Sequence, residues 1–205
     1  MCVILVGRIG KKLHDQARTQ NPDGFSLFTK AQGLIKAPNA VQVSKALHDF
    51  GIWHYRIRSS GKVDKNNIHP FPVAGGRAYL YHNGVLGSGK DDMSDTAALA
   101  ETLMDANIET VKSVLRALSQ SQRFLLADAE DPRKYLLFGE WKVEGGVLMS
   151  HKMYSGSAYY GQTYAQRAGW ESPPAGVTSY AKAANLVQYR TAVRGGKIKE
   201  DDLLE

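Results

Sequence analysis

The sequence contains a single cysteine, and it lies at position 2, directly after Met1. Removal of Met1 would leave a thiol and a free α-amine on one residue, which together make a nucleophile and its general base. The reference pKa of an α-amine lies near about 7.7–8.0, so a useful fraction is neutral at physiological pH and can accept the thiol proton. Taken alone, however, a lone cysteine at a chain start is more simply a buried apolar residue. The interpretation of Cys2 therefore depends on the rest of the sequence.

Composition sets the broad class of the protein. The chain has 205 residues, of which 43% are hydrophobic, enough for the core of one domain. A single cysteine excludes an internal disulfide, and we see neither a basic leader nor an apolar run long enough to cross a membrane. We therefore expect a protein of the reducing cytoplasm with no membrane partner.

The formal net charge of +6 does not by itself indicate a nucleic-acid-binding protein. The basic residues are dispersed, whereas a nucleic-acid surface would gather them in a stripe with aromatic residues along it. Basic residues become denser over 182–199, and acidic residues over 200–205 then reverse the sign. We expect a solvated tail there, and the charge pattern argues against nucleic acid as a partner.

Hydrophobic periodicity predicts an α+β domain. The apolar, β-branched run of residues 2–6 predicts a buried strand that begins at the cysteine and stops at Gly7. Helical spacing over 41–50 indicates a first helix, and Ser94 and Asn107 are typical N-caps of two further helices. Residues 59–76 are expected to form a loop. The other predicted strands are 25–28, 52–58, 78–82, 124–127, 135–138 and 146–150.

We expect a core domain over residues 1–150 and a C-terminal extension over 151–205 that packs on it with a partly flexible tail. The extension is rich in Tyr, Gly and Ser and then contains proline, which is typical of irregular structure. One short helix is expected near residues 179–188. The tyrosine-rich stretch 154–164 is a candidate docking surface, with simple packing over the flank of the domain as the alternative.

Four short motifs carry residues that could do chemistry on an amide. They are His-Tyr-Arg-Ile-Arg-Ser-Ser-Gly at 54–61, Asn-Ile-His-Pro at 67–70, His-Asn-Gly at 82–84 and Ser-Asp-Thr at 94–96. Each key residue has an alternative interpretation. Arg56 could be a structural ion-pair partner, Asp95 could be only a helix N-cap, and Asn83-Gly84 is also the dipeptide most typical of a two-residue hairpin turn.

With Cys2, these motifs in this order resemble the class II glutamine amidotransferases of the N-terminal-nucleophile hydrolase superfamily. The family pattern is a penultimate cysteine, then H-x-R-x-A-T-x-G with a trailing N-x-H-P, then H-N-G and S-D-T. The resemblance covers roughly residues 1–150. It implies a four-layer αββα sandwich, in which two antiparallel sheets lie between layers of helices.

The resemblance also implies a role for each matched residue. Arg56 would hold the α-carboxylate of glutamine in a bidentate pair, and Asp95 would hold its α-ammonium. The side-chain amide of Asn83 and the N–H of Gly84 would face the negative oxygen that develops during attack. The Cys2 thiolate would attack the side-chain amide carbon, release ammonia and leave a γ-glutamyl thioester that water hydrolyses.

The sequence departs from the family pattern in one place. Arg58-Ser59 stands where the family usually has Ala-Thr, and Ser60 stands where a histidine is common. We expect Ser59 and Ser60 to keep substrate contacts, whereas the larger Arg58 could change the shape of the pocket. His54 and His69 are expected to be hydrogen-bonded scaffolding, because this mechanism uses the amine as its base.

No metal or other cofactor is predicted. Histidines 54, 69 and 82 lack zinc-site spacing. Residues 84–90 match the G-x4-G-K spacing of a phosphate-binding loop, but Asp91 replaces the hydroxyl residue that would bind magnesium, and no βαβ pattern surrounds it. We therefore reject a nucleotide site.

The leading hypothesis is a glutaminase-type amidotransferase domain that releases ammonia from glutamine. The 55 residues after position 150 are too few for an acceptor enzyme, so a separate acceptor or synthase protein is the expected partner. Two alternatives stay open. One is an N-terminal-cysteine amidase acting on another γ-glutamyl or acyl amide. The other is a retired enzyme fold used for binding or assembly, for which the charge and Arg58 are the best support.

Overall fold

The strand that follows Cys2 is buried along almost its whole length. In the computed structural model, which describes residues 2–87, 89 and 92–151, β1 (Val3–Arg8) is buried from Val3 to Gly7 and exposed only at Arg8. It lies inside a six-stranded sheet, between β4 (Phe50–Arg56) and β10 (Val147–Met149). Both neighbours run antiparallel to it. Cys2 therefore directly precedes a strand that is hydrogen-bonded to a neighbouring strand on each side.

The remaining elements complete an α+β domain. The helices are α1 (Lys11–Gln20), α2 (Ala40–Ala46), α3 (Asp95–Thr102) and α4 (Ile108–Leu118), with a 3-10 helix at Lys65–Asn67. The other strands are β2 (Gly24–Thr29), β3 (Gly33–Lys36), β5 (Phe71–Val73), β6 (Ala78–Asn83), β7 (Arg123–Asp128), β8 (Tyr135–Phe138) and β9 (Lys142–Glu144).

The strands form two sheets whose neighbouring strands are all antiparallel. The first sheet has the order β3-β2-β4-β1-β10-β9, and the second has the order β5-β6-β7-β8. In the first sheet Val3 lies opposite Tyr55, so the register brings Cys2 beside the end of β4, where Arg56 lies.

Three buried clusters show how the layers stack. One cluster packs α1 and α2 on the outer face of the first sheet through residues such as Ala17 and Ala46. A second packs α3 and α4 on the outer face of the second sheet through residues such as Ala100 and Leu115. The third joins the two inner faces and includes Ile4 and Tyr81. The stacking is therefore helix, sheet, sheet, helix.

This architecture confirms the α+β class and the two antiparallel sheets between helices. The assignment to the N-terminal-nucleophile superfamily stays a prediction. Both helix caps are confirmed as well. The Ser94 hydroxyl accepts the N–H of Ala97 at 3.2 Å, and the Asn107 side chain accepts that of Thr110 at 2.9 Å.

Several elements lie where none was expected. Part of the predicted 59–76 loop forms the 3-10 helix and β5, and α1, β3 and β9 were not predicted. Helix α1 lacks the usual signals because Gly10 caps it without a side-chain hydrogen bond and its first turn contains no acidic residue. Strand β9 carries two exposed residues and has no apolar run.

The predicted helix at 179–188 and the tyrosine-rich stretch 154–164 lie outside the described residues. Across the ranges 2–87, 89 and 92–151, no helix is both long enough and apolar enough to span a lipid bilayer.

Candidate active site

Cys2 is partly buried and lies against the segment that follows β4. Its Sγ is 3.5 Å from the carbonyl oxygen of Ile57. Burial raises the pKa of the thiol, the Arg56 guanidinium opposes that rise, and the Asp95 carboxylate adds to it. The thiol is therefore protonated at neutral pH and needs a base before it can attack. Both the Arg56 guanidinium and the Asp95 carboxylate thus act electrostatically on the thiol, in opposite directions.

Arg56 ends β4 as a buried cation that holds the following loop. Its Nη1 donates to the carbonyl oxygen of Lys62 at 3.0 Å, and its Nη2 donates to that of Ser60 at 2.8 Å. Both acceptors are backbone carbonyl oxygens, so these two contacts are hydrogen bonds and not ion pairs. A guanidinium carries five N–H donors, and three of them are not used by these bonds.

Asp95 is joined to the same loop from the opposite side. Its backbone N–H donates to the hydroxyl of Ser60 at 3.1 Å. Its two carboxylate oxygens accept the N–H groups of Leu86 and Thr96, each at 2.8 Å. The N-cap of α3 is Ser94, so the alternative that Asp95 serves only as the cap is wrong. Ser60 thus bridges Arg56 and Asp95.

Asn83 is the last residue of β6 and Gly84 follows it, and the two do not form a hairpin turn. After β6 the chain passes through α3 and α4 before it returns in β7, which pairs with β6. The alternative of a two-residue hairpin turn is therefore wrong. Asn83 is fully buried, and its Nδ2 lies 2.9 Å from Ser150 Oγ and 3.1 Å from His151 Nδ1.

Ser150, directly after β10, ties this asparagine to the strand of the nucleophile. Its hydroxyl oxygen accepts the N–H of Ile4 at 3.0 Å, and its own N–H donates to the carbonyl of Ile4 at 3.0 Å. One buried side chain therefore contacts both β1, two residues after Cys2, and Asn83 on the facing sheet.

We expect Ser150→Ala to lower the free energy of unfolding by about 1–3 kcal/mol, because it leaves the buried N–H of Ile4 without its acceptor. Ser26→Ala is a matched control, since Ser26 is also buried and its hydroxyl has no partner among the described residues. Urea unfolding of both variants checks this. Equal losses of stability in the two would contradict the assigned role of Ser150.

The two scaffolding histidines differ from the expectation. His54 and His69 are buried with ring centroids 4.2 Å apart, but none of their four ring nitrogens has a hydrogen-bond partner in the described part of the chain. The prediction that these two histidines are hydrogen-bonded is therefore wrong. They are buried and packed against each other. Burial lowers the pKa of His54 to about 3 and that of His69 well below its usual value.

These buried imidazoles predict a loss of stability in mild acid. The pKa of His54 is about 3 in the folded chain against an ordinary value of 6.5, so the unfolded chain binds a proton that the folded chain excludes. The neutral His54 side chain makes its full contribution to the free energy of unfolding above pH 6.5. That contribution falls as the pH drops toward 3, by about 2 kcal/mol at pH 5. His54→Phe should make the unfolding free energy less steep over this range. If His54→Phe and wild type showed the same pH dependence of the unfolding free energy, the low pKa of buried His54 would be contradicted.

Two residues of the 54–61 motif lie at the surface. Ser59 and Arg58 are exposed, and the backbone N–H of Arg58 donates to the Asp23 carboxylate at 2.7 Å. Arg58 therefore does not lie in the core, and the expectation that it changes the shape of the pocket stays a prediction.

Within residues 2–87, 89 and 92–151 no group of three or more histidine, cysteine, aspartate or glutamate side chains is arranged to hold a metal ion. The rejected phosphate-loop pattern at 84–90 lies partly outside the described residues.

Sequence reasoning missed three residues that hold the site. They are Ser150, His151 and Gln122, the last of which contacts the backbone beside Gly84. Ser150-His151 carries a weak signal, since two polar residues end an apolar strand. Gln122 carries none, because an isolated glutamine between helix and strand resembles any exposed residue.

The fold and the site together define a layered α+β protein in which Cys2 lies beside the end of β4, where the buried Arg56 stands, and Asp95 begins α3. No family model matches the chain. Over 131 residues it is 31% identical to the glutamine–fructose-6-phosphate aminotransferase (isomerizing) of Lactiplantibacillus plantarum. The match covers 54% of this chain and 22% of that protein, so the chain spans only about a fifth of its relative's length.

Proposed function

We propose that this chain hydrolyses the side-chain amide of glutamine, with Cys2 as nucleophile after removal of Met1. The observation that carries the proposal is the Ser150 hydroxyl, which contacts the N–H of Ile4 at 3.0 Å and the side chain of Asn83 at 2.9 Å. It couples the strand of the nucleophile to the amide assigned to the oxyanion. The similarity to a glutamine–fructose-6-phosphate aminotransferase supports glutamine as the substrate.

The proposed reaction has two halves. The free α-amine of Cys2 takes the thiol proton, and the thiolate attacks the side-chain carbonyl carbon of glutamine. The resulting negative oxygen is held by the Asn83 amide and the N–H of Gly84. The C–N bond then breaks as the ammonium returns the proton to the leaving nitrogen. Water cleaves the remaining γ-glutamyl thioester and gives glutamate and the free thiol.

The orientation of the Asn83 amide decides whether it can serve this oxygen. As assigned, its Nδ2 contacts Ser150 and His151, and Oδ1 has no partner among the described residues. In this orientation the Ser150 oxygen accepts N–H groups from both Ile4 and Asn83, and its own buried O–H has no acceptor among the described residues. Rotating the amide by 180° supplies that acceptor and turns the NH₂ group toward the unpartnered side. We assign the rotated form to the working enzyme because it gives the Ser150 O–H an acceptor. The two orientations differ only by exchange of the amide oxygen and nitrogen.

The polar ends of glutamine would be recognised by the loop that Arg56 and Asp95 hold. The three unused N–H donors of Arg56 suit the planar α-carboxylate, and the Asp95 carboxylate suits the α-ammonium. Ser60 accepts the Arg56 guanidinium through its carbonyl and the backbone N–H of Asp95 through its hydroxyl, so both residues are tied to one loop. A cation and an anion held by the same loop favour an amino-acid head group over a purely apolar acyl chain.

Asp95→Asn should raise KM for glutamine about 10- to 100-fold, because a charge-assisted hydrogen bond is worth about 1.5–3 kcal/mol. The loss should be specific to the ammonium. Wild type should strongly prefer glutamine to its analogue without the α-amine, and Asp95→Asn should remove most of that preference. Steady-state assays of ammonia release measure both substrates.

Asp92→Asn is the control, since Asp92 lies three residues earlier in an exposed ion pair with Lys62. It should leave KM unchanged. If wild type releases no ammonia from glutamine under any condition tested, the proposed function is wrong. If Asp95→Asn retains the full preference, the role of Asp95 is wrong and the hydrolysis itself stands.

A further inference from the structure

The side chain of Gln122 completes the backbone ladder beside Gly84. Its Oε1 accepts the N–H of Val85 at 3.0 Å, and its Nε2 donates to the carbonyl of Val85 at 3.0 Å. In the β6–β7 ladder Asn83 is the last residue paired, opposite Arg123. The Gln122 amide therefore takes the place of a peptide group and extends the pairing past the end of β6.

This pair of bonds fixes the orientation of the amide. The reversed orientation would place an NH₂ group against the N–H of Val85 and an oxygen against its carbonyl, so it is excluded. The fixed Oε1 also lies 3.1 Å from Nε2 of His82. Because this oxygen can only accept, His82 must carry its proton on Nε2. Its other nitrogen, Nδ1, is then the acceptor for the hydroxyl of Thr96, which lies 2.8 Å from it and farther, at 3.3 Å, from Asp95 Oδ1.

The same contacts leave no space at Gly84. A Cβ there would overlap Gln122 Oε1 and come within 2.8 Å of His82 Nε2. The backbone of Gly84 is thus packed directly against the Gln122 amide. Any displacement of that amide would move the N–H assigned to the oxyanion.

His82 connects this turn to the residue assigned to the ammonium. Its ring is buried and stacked on Phe124, with centroids 4.7 Å apart at 20°. Thr96, its partner at Nδ1, also donates its backbone N–H to the Asp95 carboxylate at 2.8 Å. Hydrogen bonds therefore run from the Gly84 turn through His82 to Asp95.

We propose that Gln122 is a positioning residue that fixes the oxyanion turn and, through the tautomer of His82, aligns it with Asp95. The inference rests on the proposed glutamine hydrolysis. Gln122 touches no reacting atom, and Asp95 keeps its bonds to Leu86 and Ser60 without it, so its removal should act on the rate of the chemical step and leave substrate binding in place.

Gln122→Leu keeps the approximate volume and removes all of the hydrogen bonds. We expect kcat for glutamine to fall about 10- to 100-fold, the range for a small misplacement of a catalytic group, with KM changed less than about twofold. Gln122→Glu keeps the two acceptor contacts but sets an oxygen against the carbonyl of Val85, so it should also lower kcat, and it serves if the leucine variant unfolds. Gln32→Leu is the control, because Gln32 also donates its amide to a backbone carbonyl, that of Gln42. It should leave kcat unchanged.

A second measurement does not depend on turnover. Long-range ¹H–¹⁵N NMR should show His82 as the Nε2–H tautomer in wild type and as a mixture of tautomers in Gln122→Leu. A wild type that is inactive on glutamine would contradict the proposed function, and the tautomer would still test the geometry. An Nδ1–H tautomer in wild type, or an active wild type matched in kcat by Gln122→Leu, would overturn the role of Gln122.

Discussion

Replacing Cys2 with alanine should reduce glutamine hydrolysis to background, a loss on the order of 10⁴- to 10⁶-fold in kcat. Cys2 is the only thiol of the chain, so no second cysteine can substitute for it. The Cys2→Ala variant should still bind glutamine, because Arg56 and Asp95 are held by hydrogen bonds that do not involve the sulfur. Ammonia and glutamate release from matched amounts of the two proteins measures this effect.

A chain with an uncleaved extension before Cys2 provides the sharper comparison. It keeps the thiol but lacks the free α-amine, and burial holds the pKa of that thiol above its usual value. We therefore expect nearly the same loss as in Cys2→Ala. Full activity in the extended chain would contradict the amine as the base while leaving the thiol as the nucleophile.

Among the single substitutions, Asn83→Ala should give the second largest effect, with kcat lowered about 10²–10³-fold and KM little changed, as is typical when one oxyanion donor is removed. The variant also loses the contact with Ser150, so some loss of stability is expected with the loss of rate. The steady-state parameters of the folded variant measure the effect.

Asn107→Ala separates these two consequences. Asn107 caps α4 through the N–H of Thr110, and its removal should cost about 1 kcal/mol of stability without touching the site. It should leave kcat unchanged. If Asn83→Ala loses no more activity than Asn107→Ala, the assignment of Asn83 to the oxyanion is wrong.

The parts of the fold that depend on local signals could be predicted from sequence. The apolar run after Cys2 indicated a buried strand, and Ser94 and Asn107 marked the starts of α3 and α4, because a capping side chain acts within three residues of itself. Helix α1 could not be predicted in this way, since it has no side-chain cap and takes its stability from packing on the first sheet.

The supports of the site could not be predicted, because each acts across the fold. Ser150 meets Ile4 only because β10 pairs with β1, and Gln122 meets Val85 only because β7 returns to β6. No local pattern encodes either pairing. The residues named by their motifs, by contrast, were proposed from type and order alone, and their roles stay predictions that the variants above test.

The central claim is that a processed N-terminal Cys2 attacks a glutamine side chain. Intact-mass analysis of the active protein, before and after incubation with a thiol-reactive glutamine analogue, tests it most directly. We expect a chain that lacks Met1, one covalent adduct on Cys2, and protection by excess glutamine. Met1 still attached in a preparation that hydrolyses glutamine, or an unmodified Cys2 in such a preparation, would contradict the account.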